Sequence, residues 1–383
     1  MPSVNWRNLD FPLLLGVAIL ITFSAVMIRS AVAGNIELLE LNIVGRQLIF
    51  AAIGAVAIVV VASIDYRLWS SLSRVLYIVA FVALAALYVI GGAVFGSARW
   101  FDTGLILIQP SEIAKIVMIL ILGDFFARNQ HNIETPRGIF VSLALTMGIV
   151  IWILLQPNLS TSIVIMVIWA SMLWASGLKI KYVLYAAGAG LLALIIGLPL
   201  LFQIILNPDI VGEESIIKPY QVQRITNFVA PDPEASYGET FNIEQAKISV
   251  GSGGWVGQGY GQGTQIQNRF LKVRQTDFIF AAAAQEFGFV GSTAIILLEF
   301  FVVWRCMRVA QKARDTYGAL IAIGVGVIIA FQTIVNIGMN INLLPVTGLP
   351  LPFVSYGGSS LLSKMIGIGL VQSVALRHNT LDF

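Results

Sequence analysis

The chain has 383 residues, of which 57% are hydrophobic and only 11% are charged, and its formal net charge is +3. Soluble domains carry roughly 25% charged residues, so this chain has too few polar groups to cover a water-exposed surface. The composition therefore excludes an ordinary soluble protein and predicts a polytopic membrane protein. The positive charge is small and dispersed, which argues against a nucleic-acid-binding protein.

The residue types of redox and zinc sites are scarce. Cys306 is the single cysteine, which excludes an internal disulfide, and the two histidines, His131 and His378, lie far apart in the sequence. Neither histidine has ligand partners at metal-binding spacing. We expect no cleavable signal peptide, because the first apolar stretch is long enough to span a bilayer and lacks a small-residue cleavage site.

Apolar windows of the length that crosses a bilayer recur along the chain. A membrane-spanning helix needs about 20 residues, and the short polar turns at 156–160 and 177–181 divide apolar runs that would otherwise be too long. We therefore predict an all-α protein with a single membrane domain over 1–383 and about ten transmembrane helices. The windows are 11–31, 46–64, 73–94, 111–127, 137–155, 160–177, 181–206, 277–305, 318–343 and 358–377.

The distribution of lysine and arginine predicts the orientation of these helices. With a cytoplasmic N-terminus, the inward segments carry twelve basic residues and the short outward loops carry three, Arg29, Arg46 and Arg99. Short cytoplasmic loops are enriched in basic residues, so both termini are expected in the cytoplasm. The segment 207–276 then becomes one long external loop between the seventh and eighth helices.

Ionisable and amide side chains are predicted near the outer ends of several helices. A charge near a helix centre costs about 2.5–3.5 kcal/mol on insertion scales, so these groups should avoid lipid and line one polar cavity. Glu112 and Lys115 are three residues apart and can pair, either to fasten helices or to contact a substrate. The other side chains expected to line this cavity are Asp277, Glu286, Asn336, Asn340, Asn342 and Lys364. Glu299 lies deeper and away from them, where a structural or partner-facing role is expected.

Asp277 is the strongest candidate for a chemical centre. It ends the long polar segment and is predicted in the first turn of the eighth membrane helix, where a carboxylate is costly to keep without a use. The alternative is a helix-capping role, shared with Thr276 and favoured by the helix dipole. The residues alone leave both alternatives open. Asp277 and Glu286 are nine residues apart and fall on opposite helix faces, so we do not expect them to share a metal.

The end of the external loop is rich in glycine and basic residues. Glycines between 251 and 263 could expose N–H groups to an anion, but their spacing fits no phosphate-loop fingerprint, so turns are the favoured interpretation. The basic side chains could hold a pyrophosphate at the membrane surface or could simply be solvated. They are Arg224, Lys247, Arg269, Lys272 and Arg274.

Several motifs in order along the chain resemble those of the SEDS family, the shape, elongation, division and sporulation proteins. The similarity covers nearly the whole chain and includes the ten-helix plan, and GTQIQNRFL (263–271) is closer to the RodA branch than to the FtsW branch. The motifs are GSARWFDTGLILIQPSEIAK (96–115), KPYQVQRITNF (218–228), QAKISVGSGGWVGQG (245–259), TDFIFAAAAQEFGFVG (276–291) and NIGMNINLLPVTGLPLPFVSYGGSS (336–360).

The resemblance implies a peptidoglycan glycosyltransferase in the bacterial cytoplasmic membrane that polymerises lipid II at the outer face, for elongation and shape. It also implies a class B penicillin-binding protein as partner. The family's essential external aspartate maps onto Asp277, which we expect to be catalytic. Substrate contacts are expected from Arg99, Trp100, Glu112, Lys115, Arg224, Lys272, Arg274, Asn336 and Lys364.

Two stretches depart from the family pattern. Relatives usually read QPDLGT where this chain reads QPNLST, so no acid function can be carried onto Asn158. Relatives often read FLPE before the aspartate, where this chain has Lys272 and Val273 in place of the proline and glutamate. Neither change removes Asp277.

The chemistry expected from the resemblance is general-base catalysis by Asp277 on the 4-hydroxyl of the acceptor sugar, which contributes typically 10²–10⁴-fold. Cations such as Arg99, Lys115, Arg224 and Lys364 would meet the charge on the leaving diphosphate. A divalent cation, Mg²⁺ or Mn²⁺, could do part of that work, although the sequence shows no dedicated carboxylate cluster. Rival functions are a lipid II flippase and a non-catalytic scaffold for the penicillin-binding protein.

Overall fold

The architecture is that of a helical membrane protein. The computed structural model describes residues 6–33, 41–90, 100–102, 107–130, 133–179, 181–182, 188, 224, 227–229 and 238–378. After a 3₁₀ turn at Trp6–Asn8, the longer helices are α1 (Phe11–Val32), α2 (Ile43–Ser63), α3 (Tyr66–Ile90), α4 (Pro110–Arg128), α5 (Pro136–Leu155), α6 (Leu159–Ala175), α7 (Glu239–Ser252), α9 (Ile279–Lys312), α10 (Thr316–Asn340) and α11 (Gly358–Leu376). The single turn α8 (Thr264–Gln267) precedes α9, and the two-residue strands β1 (Phe101–Asp102) and β2 (Leu107–Ile108) pair antiparallel before α4.

Seven helices in this described part of the chain are long and apolar enough to cross a membrane, namely α1, α2, α3, α5, α9, α10 and α11. Helix α6 is apolar but has 17 residues, and α4 carries charged side chains near both ends. These nine helices fall on nine of the ten predicted windows. The remaining window, 181–206, lies almost entirely outside the described residues.

Polar side chains fix the start of many helices. Asp10, Asn42, Thr135, Asn158 and Asp315 each accept a hydrogen bond from a backbone N–H in the first turn of the helix that follows. Such caps satisfy donors that have no partner inside the helix. The short loops between apolar runs therefore contain the polar residues that end one helix and begin the next.

Helices α4, α10 and α11 form the centre of the bundle. Most of their side chains are buried, including Lys115 on α4 and Gln332 on α10. Helix α11 packs closely against α2, while α10 packs against α9, α4 and α6. By contrast, valine and isoleucine side chains along α2 and α3 are exposed, as expected for helices that face lipid.

Helix α9 is interrupted near its first third. Gly288 has φ 64° and ψ −161°, which breaks the helix into two segments. The glycine-rich loop fills the break: Phe289 N donates to the Gly254 carbonyl at 2.8 Å, and Gly259 N donates to the Glu286 carbonyl at 3.0 Å. These bonds satisfy the backbone groups that the break frees. Close packing against α9 accounts for Gly253 and Gly257, where an added Cβ would stand 2.0 Å and 2.1 Å from the carbonyl oxygens of Ala284 and Glu286.

Candidate active site

A cavity of about 540 Å³ opens beside Asp277 at the end of the bundle where α9 begins. Its wall comes from the start of α4, the start of α6, residue 224 of the long loop and the segment 345–360 after α10. Among the predicted site residues, Trp100, Glu112, Arg224 and Asp277 line it. This volume lies within the range of about 300–1,000 Å³ typical of pockets for small organic ligands.

Asp277 stands just before α9 rather than in its first turn. The N-cap residue is Phe278, whose side chain makes no capping bond. Neither Asp277 nor Thr276 therefore occupies the N-cap position of α9. Asp277 lines the cavity together with Gly348, which has φ 70°. A Cβ added at Gly348 would lie 3.7 Å from Asp277 Oδ2.

Two asparagines on α10 hold the backbone of Asp277. Asn336 Nδ2 donates to the Asp277 carbonyl at 3.1 Å and to the Leu349 carbonyl at 2.8 Å. Asn340 Nδ2 donates to the same Asp277 carbonyl at 3.0 Å, and its Oδ1 accepts from Ala281 N at 3.0 Å. Both asparagines are fully buried. The structure thus places Asn336 behind the cavity wall, where it positions the aspartate.

The segment 341–357 folds back along the residues before α9. Ser355 Oγ donates to the Thr276 carbonyl at 2.7 Å, and Tyr356 N donates to the Gln275 carbonyl at 2.9 Å. Further along, Ser160 Oγ donates to the Thr347 carbonyl at 2.5 Å. This part of the cavity wall is therefore non-helical backbone that is hydrogen-bonded to the residues before α9, to α6 and to α10. Non-helical backbone is tolerated in a membrane protein where it lines a cavity.

A buried ion cluster forms the floor of the cavity. Lys115 Nζ lies 2.7 Å from Glu112 Oε1, as the i,i+3 spacing predicted, and Lys364 Nζ lies 3.7 Å from Oε2. All three side chains are at most 5% exposed. Lys364 also donates to the Ser360 carbonyl at 3.3 Å and to its hydroxyl. One carboxylate thus meets two ammonium groups, so these three residues together carry a positive charge next to the cavity.

Glu299 lies below this cluster and interacts electrostatically with Lys364. Its side chain is 1% exposed, which favours the structural role over the partner-facing role among the two that the sequence allowed. Among the described residues, neither carboxyl oxygen of Glu299 has a hydrogen-bond partner, and neither does the Thr333 hydroxyl beside it. Glu299 therefore adds a second buried carboxyl group near Lys364.

The basic residues of the long loop occupy different places. Arg224 lines the cavity and donates from Nη1 to the Thr347 carbonyl at 3.3 Å. Arg274 is 4% exposed and faces away, with Nε 2.5 Å from the Ala31 carbonyl and Nη1 3.2 Å from the Leu271 carbonyl. Burial lowers its pKa below the ordinary value. Lys272 is exposed and does not line the cavity, and Arg99 lies outside the described residues.

The expectation that Glu286 lines the same cavity is wrong. Its side chain is 1% exposed and accepts a hydrogen bond from Ser30 on α1. It lies against the glycine-rich loop and is not among the residues that line the cavity.

No three histidine, cysteine, aspartate or glutamate side chains come together as a metal site within the ranges the structure describes. Asp277 and Glu112 are the two carboxylates in the described cavity wall. A divalent cation at this place would have to take most of its oxygen ligands from water and a substrate, since Mg²⁺ prefers six.

Comparisons with known proteins identify the family of this chain. The family model described as "Cell cycle protein", FTSW_RODA_SPOVE, matches residues 11–380. The chain belongs to this FtsW, RodA and SpoVE family. It is 36% identical to stage V sporulation protein E of Bacillus subtilis, covering 86% of each chain. It is 34% identical to the peptidoglycan glycosyltransferase MrdB of Escherichia coli, covering 98% of this chain and 95% of the relative.

A solved structure titled as the coordination of polymerization and crosslinking by a peptidoglycan synthase complex contains a chain of the same fold. The two chains are 26% identical and superpose with a TM-score of 0.78, covering 97% of this chain and 98% of the other. Because both the family model and this superposition extend across almost the whole chain, the FtsW, RodA and SpoVE fold accounts for the described helices and the cavity together.

Several residues that line the cavity were not predicted from the sequence. Asn158, which replaces the usual aspartate, lines the cavity and caps α6 through a bond from Thr161 N at 3.3 Å. Asparagine caps a helix about as well as aspartate, so the local structure survives the replacement. The segment Pro345–Pro350 was also missed as a wall, although its closely spaced prolines and glycine signal a non-helical backbone.

Proposed function

We propose that this protein is a peptidoglycan glycosyltransferase that joins lipid II into glycan strands at the outer face of the bacterial cytoplasmic membrane, for cell elongation and shape. The observation that carries the proposal is the Asp277 carboxylate, held by its backbone carbonyl at the wall of a 540 Å³ cavity beside membrane-spanning helices. The glycosyltransferase named among its relatives supports the same activity.

Lipid II combines an isoprenoid tail, a diphosphate and a disaccharide-peptide. An enzyme acting on it needs apolar surface for the tail, cations at the depth of the diphosphate and an acid/base group at the sugar. The cavity offers apolar side chains such as Leu159 and Ile163, the cation Arg224 and the carboxylate of Asp277. The three kinds of group occur together in one wall, which favours this substrate over a soluble sugar.

In the proposed mechanism, Asp277 accepts the proton of the acceptor sugar's 4-hydroxyl. The oxygen attacks the anomeric carbon of the donor sugar, and the bond from that carbon to the lipid diphosphate breaks with inversion. The electron pair of the broken bond leaves with the diphosphate. A base placed within hydrogen-bond reach contributes typically 10²–10⁴-fold to such a step.

Cations near the cavity would stabilise the charge that develops on the diphosphate. Arg224 is in the wall, and Lys115 and Lys364 lie directly behind Glu112 and contribute a net positive field. We assign Arg99, Trp100 and Lys272 supporting roles in substrate binding on the family pattern. An Mg²⁺ or Mn²⁺ ion arriving with the diphosphate would be held by substrate oxygens together with Asp277 or Glu112.

We further propose ten transmembrane helices with both termini in the cytoplasm. The nine described helices that match predicted windows support this count, with 181–206 as the remaining span. Basic residues such as Arg128, Arg137 and Lys312 lie at the helix ends remote from Asp277. Since basic residues mark cytoplasmic loops, Asp277 and the long loop 207–276 would face outward.

A class B penicillin-binding protein is the proposed partner. The superposition onto a chain of a peptidoglycan synthase complex supports it, because that complex couples polymerization to crosslinking. The rival functions, a lipid II flippase and a non-catalytic scaffold, would not require a carboxylate whose backbone is fixed by two buried asparagines.

The decisive experiment replaces Asp277 with asparagine, which keeps the side-chain size and removes the base. Purified Asp277→Asn, with and without the partner, should lose glycan synthesis from labelled lipid II while keeping its folding and partner binding. Asp65→Asn, at the opposite end of the helices, is the control and should remain active. Normal glycan synthesis by Asp277→Asn would refute the assignment. Lipid II translocation in vesicles that survives in every variant would favour the flippase.

A further inference from the structure

A second cavity, of about 270 Å³, lies at the opposite end of the bundle from Asp277. It is formed where the N-terminal turn, the last two turns of α9 and the end of α11 meet. Helix α9 begins beside Asp277 and ends at this cavity, so the two sites are separated by its 34 residues, or about 50 Å at 1.5 Å per residue. Nothing in the proposed glycosyl transfer uses this second cavity.

Positive charge converges on this cavity from two segments of the chain. Arg7 comes from the N-terminal turn, while Arg305, Arg308 and Lys312 lie on one face of α9 at i, i+3 and i+7. Asp10 is the single carboxylate that the structure describes in the lining. Within the described lining, four cationic groups against one carboxylate leave a surplus of three positive charges.

The Asp10 carboxylate already accepts several hydrogen bonds and cannot neutralise the remaining positive charges. Its carboxylate accepts from Arg305 Nε at 3.0 Å and from Nη2 at 2.7 Å, and Oδ1 also accepts from Leu13 N at 3.0 Å as the cap of α1. Elsewhere in the described chain, neither Arg308 nor Lys312 has a carboxylate partner, and both are exposed. Arg308 and Lys312 therefore present donors without a carboxylate partner among the described residues, at the wall of a concave site that suits an anion.

The surroundings of the cavity are apolar and aromatic, which indicates the membrane boundary. Trp6 and Trp304 are 52% and 41% exposed, and the Arg308 guanidinium carbon lies 5.6 Å from the Trp304 ring centre. Tryptophan concentrates at membrane–water interfaces. Exposed apolar side chains then continue from the cavity along the neighbouring helices, with Phe11 on α1 and Phe300 on α9 each 65% exposed.

We infer that this basic pocket binds the phosphate headgroup of an anionic phospholipid from the leaflet opposite to the active site. The headgroup would contact Arg7, Arg308 and Lys312, and the acyl chains would run along the exposed surface of α1 and α9. A volume of 270 Å³ falls just below the range of drug-sized pockets, about 300–1,000 Å³, and fits a headgroup rather than a whole cofactor. The continuous apolar surface favours a lipid over a free phosphate.

The test measures binding of phosphatidylglycerol to the full-length protein by native mass spectrometry and by titration in neutral detergent, with phosphatidylcholine as the uncharged reference. Arg308→Gln combined with Lys312→Gln should weaken phosphatidylglycerol binding roughly thirtyfold, since each interfacial basic residue contributes separately to anionic-lipid affinity. Phosphatidylcholine binding should not change. Inorganic phosphate at millimolar concentration should not compete.

The matched control is Arg137→Gln combined with Arg314→Gln. These two arginines are also exposed at the same end of the bundle but do not line the pocket. The control should lose less than about threefold in affinity, because general surface charge contributes little to a single-site measurement. Arg308→Lys with Lys312→Arg keeps both charges and should bind normally. Thermal unfolding in neutral lipid checks that all variants are folded.

Three results would overturn the inference. Equal losses of phosphatidylglycerol affinity in the pocket variant and in the control variant would show that general surface charge causes the effect. Competition by inorganic phosphate, with binding of phosphate alone, would replace the lipid by a soluble anion. Unchanged phosphatidylglycerol binding in the pocket variant would remove the site altogether. None of these measurements depends on glycan synthesis, so the outcome is independent of the role of Asp277.

Discussion

Asn340→Ala tests whether α10 positions Asp277, the proposed catalytic residue. The substitution removes the 3.0 Å bond to the Asp277 carbonyl and the 2.8 Å bond to the Asn336 carbonyl, and it deprives the buried Ala281 N–H of its acceptor at 3.0 Å. A buried donor left without a partner costs about 1–3 kcal/mol, and a lost neutral hydrogen bond costs about 0.5–1.5 kcal/mol. We expect a loss of about 2–4 kcal/mol in the free energy of unfolding.

The effect on catalysis should be separable from the effect on stability. Asn340 does not line the cavity, so KM for lipid II should change little. Displacement of a positioned group by about 1 Å can cost 10²-fold in rate, so we expect kcat to fall about 10- to 100-fold. The assay is polymerisation of labelled lipid II by purified protein at a temperature where thermal unfolding shows that the variant is folded.

The control is Asn129→Ala. Asn129 also donates one side-chain bond, to the Phe125 carbonyl at 2.8 Å, but it lies at the far end of α4. It should lose about 1 kcal/mol of stability and keep normal kcat. If Asn340→Ala retains full kcat per folded molecule, or if the whole loss appears in KM, the carbonyl contacts do not position Asp277 and the positioning argument fails.

Two further predictions concern stability. Glu112→Ala should destabilise the protein by about 3–5 kcal/mol in chemical unfolding, because it leaves the Lys115 ammonium group buried without its ion-pair partner and removes the carboxylate 3.7 Å from Lys364. Gly257→Ala should lower the midpoint of thermal unfolding by several degrees or more, because the added Cβ would stand 2.1 Å from the Glu286 carbonyl oxygen at φ 83°.

Each of these two variants has a matched control variant. Glu134→Ala removes an ion pair of the same 2.7 Å length, but Glu134 and Lys179 are exposed, so its cost should stay below about 1 kcal/mol. Gly251→Ala adds a methyl group to the same region with nothing within 4 Å, so it should be neutral. Equal costs for Glu112→Ala and Glu134→Ala, or for the two glycine variants, would contradict the burial and backbone arguments.

Local patterns in the sequence predicted the features that depend on near neighbours. The apolar windows anticipated nine of the described helices, and the i,i+3 spacing anticipated the pairing of Glu112 with Lys115. The position of Asp277 at the end of a polar segment singled it out, although its exact relation to α9 did not follow. These predictions succeed because helical periodicity and bilayer thickness act over one or a few turns.

Features that join distant segments did not follow from the sequence. Lys364 meets Glu112 from 252 positions away, and Asn336 turns inward to a backbone carbonyl rather than to the cavity. Arg274 is buried against the Ala31 carbonyl because the turn before α9 directs it to α1. Such contacts depend on how helices pack, and a side chain's spacing along one helix does not reveal which carbonyl on another helix it will reach.

The way Asp277 is held has a consequence for biogenesis. Its carbonyl accepts hydrogen bonds from α10, and the carbonyls of the residues just before it accept hydrogen bonds from the segment 341–357. During translation, Asp277 is synthesised before these partners. A nascent chain thus carries the proposed catalytic carboxylate through the insertion machinery before its cavity has formed. On the proposed mechanism, glycan synthesis becomes possible only once the last two helices have entered the membrane.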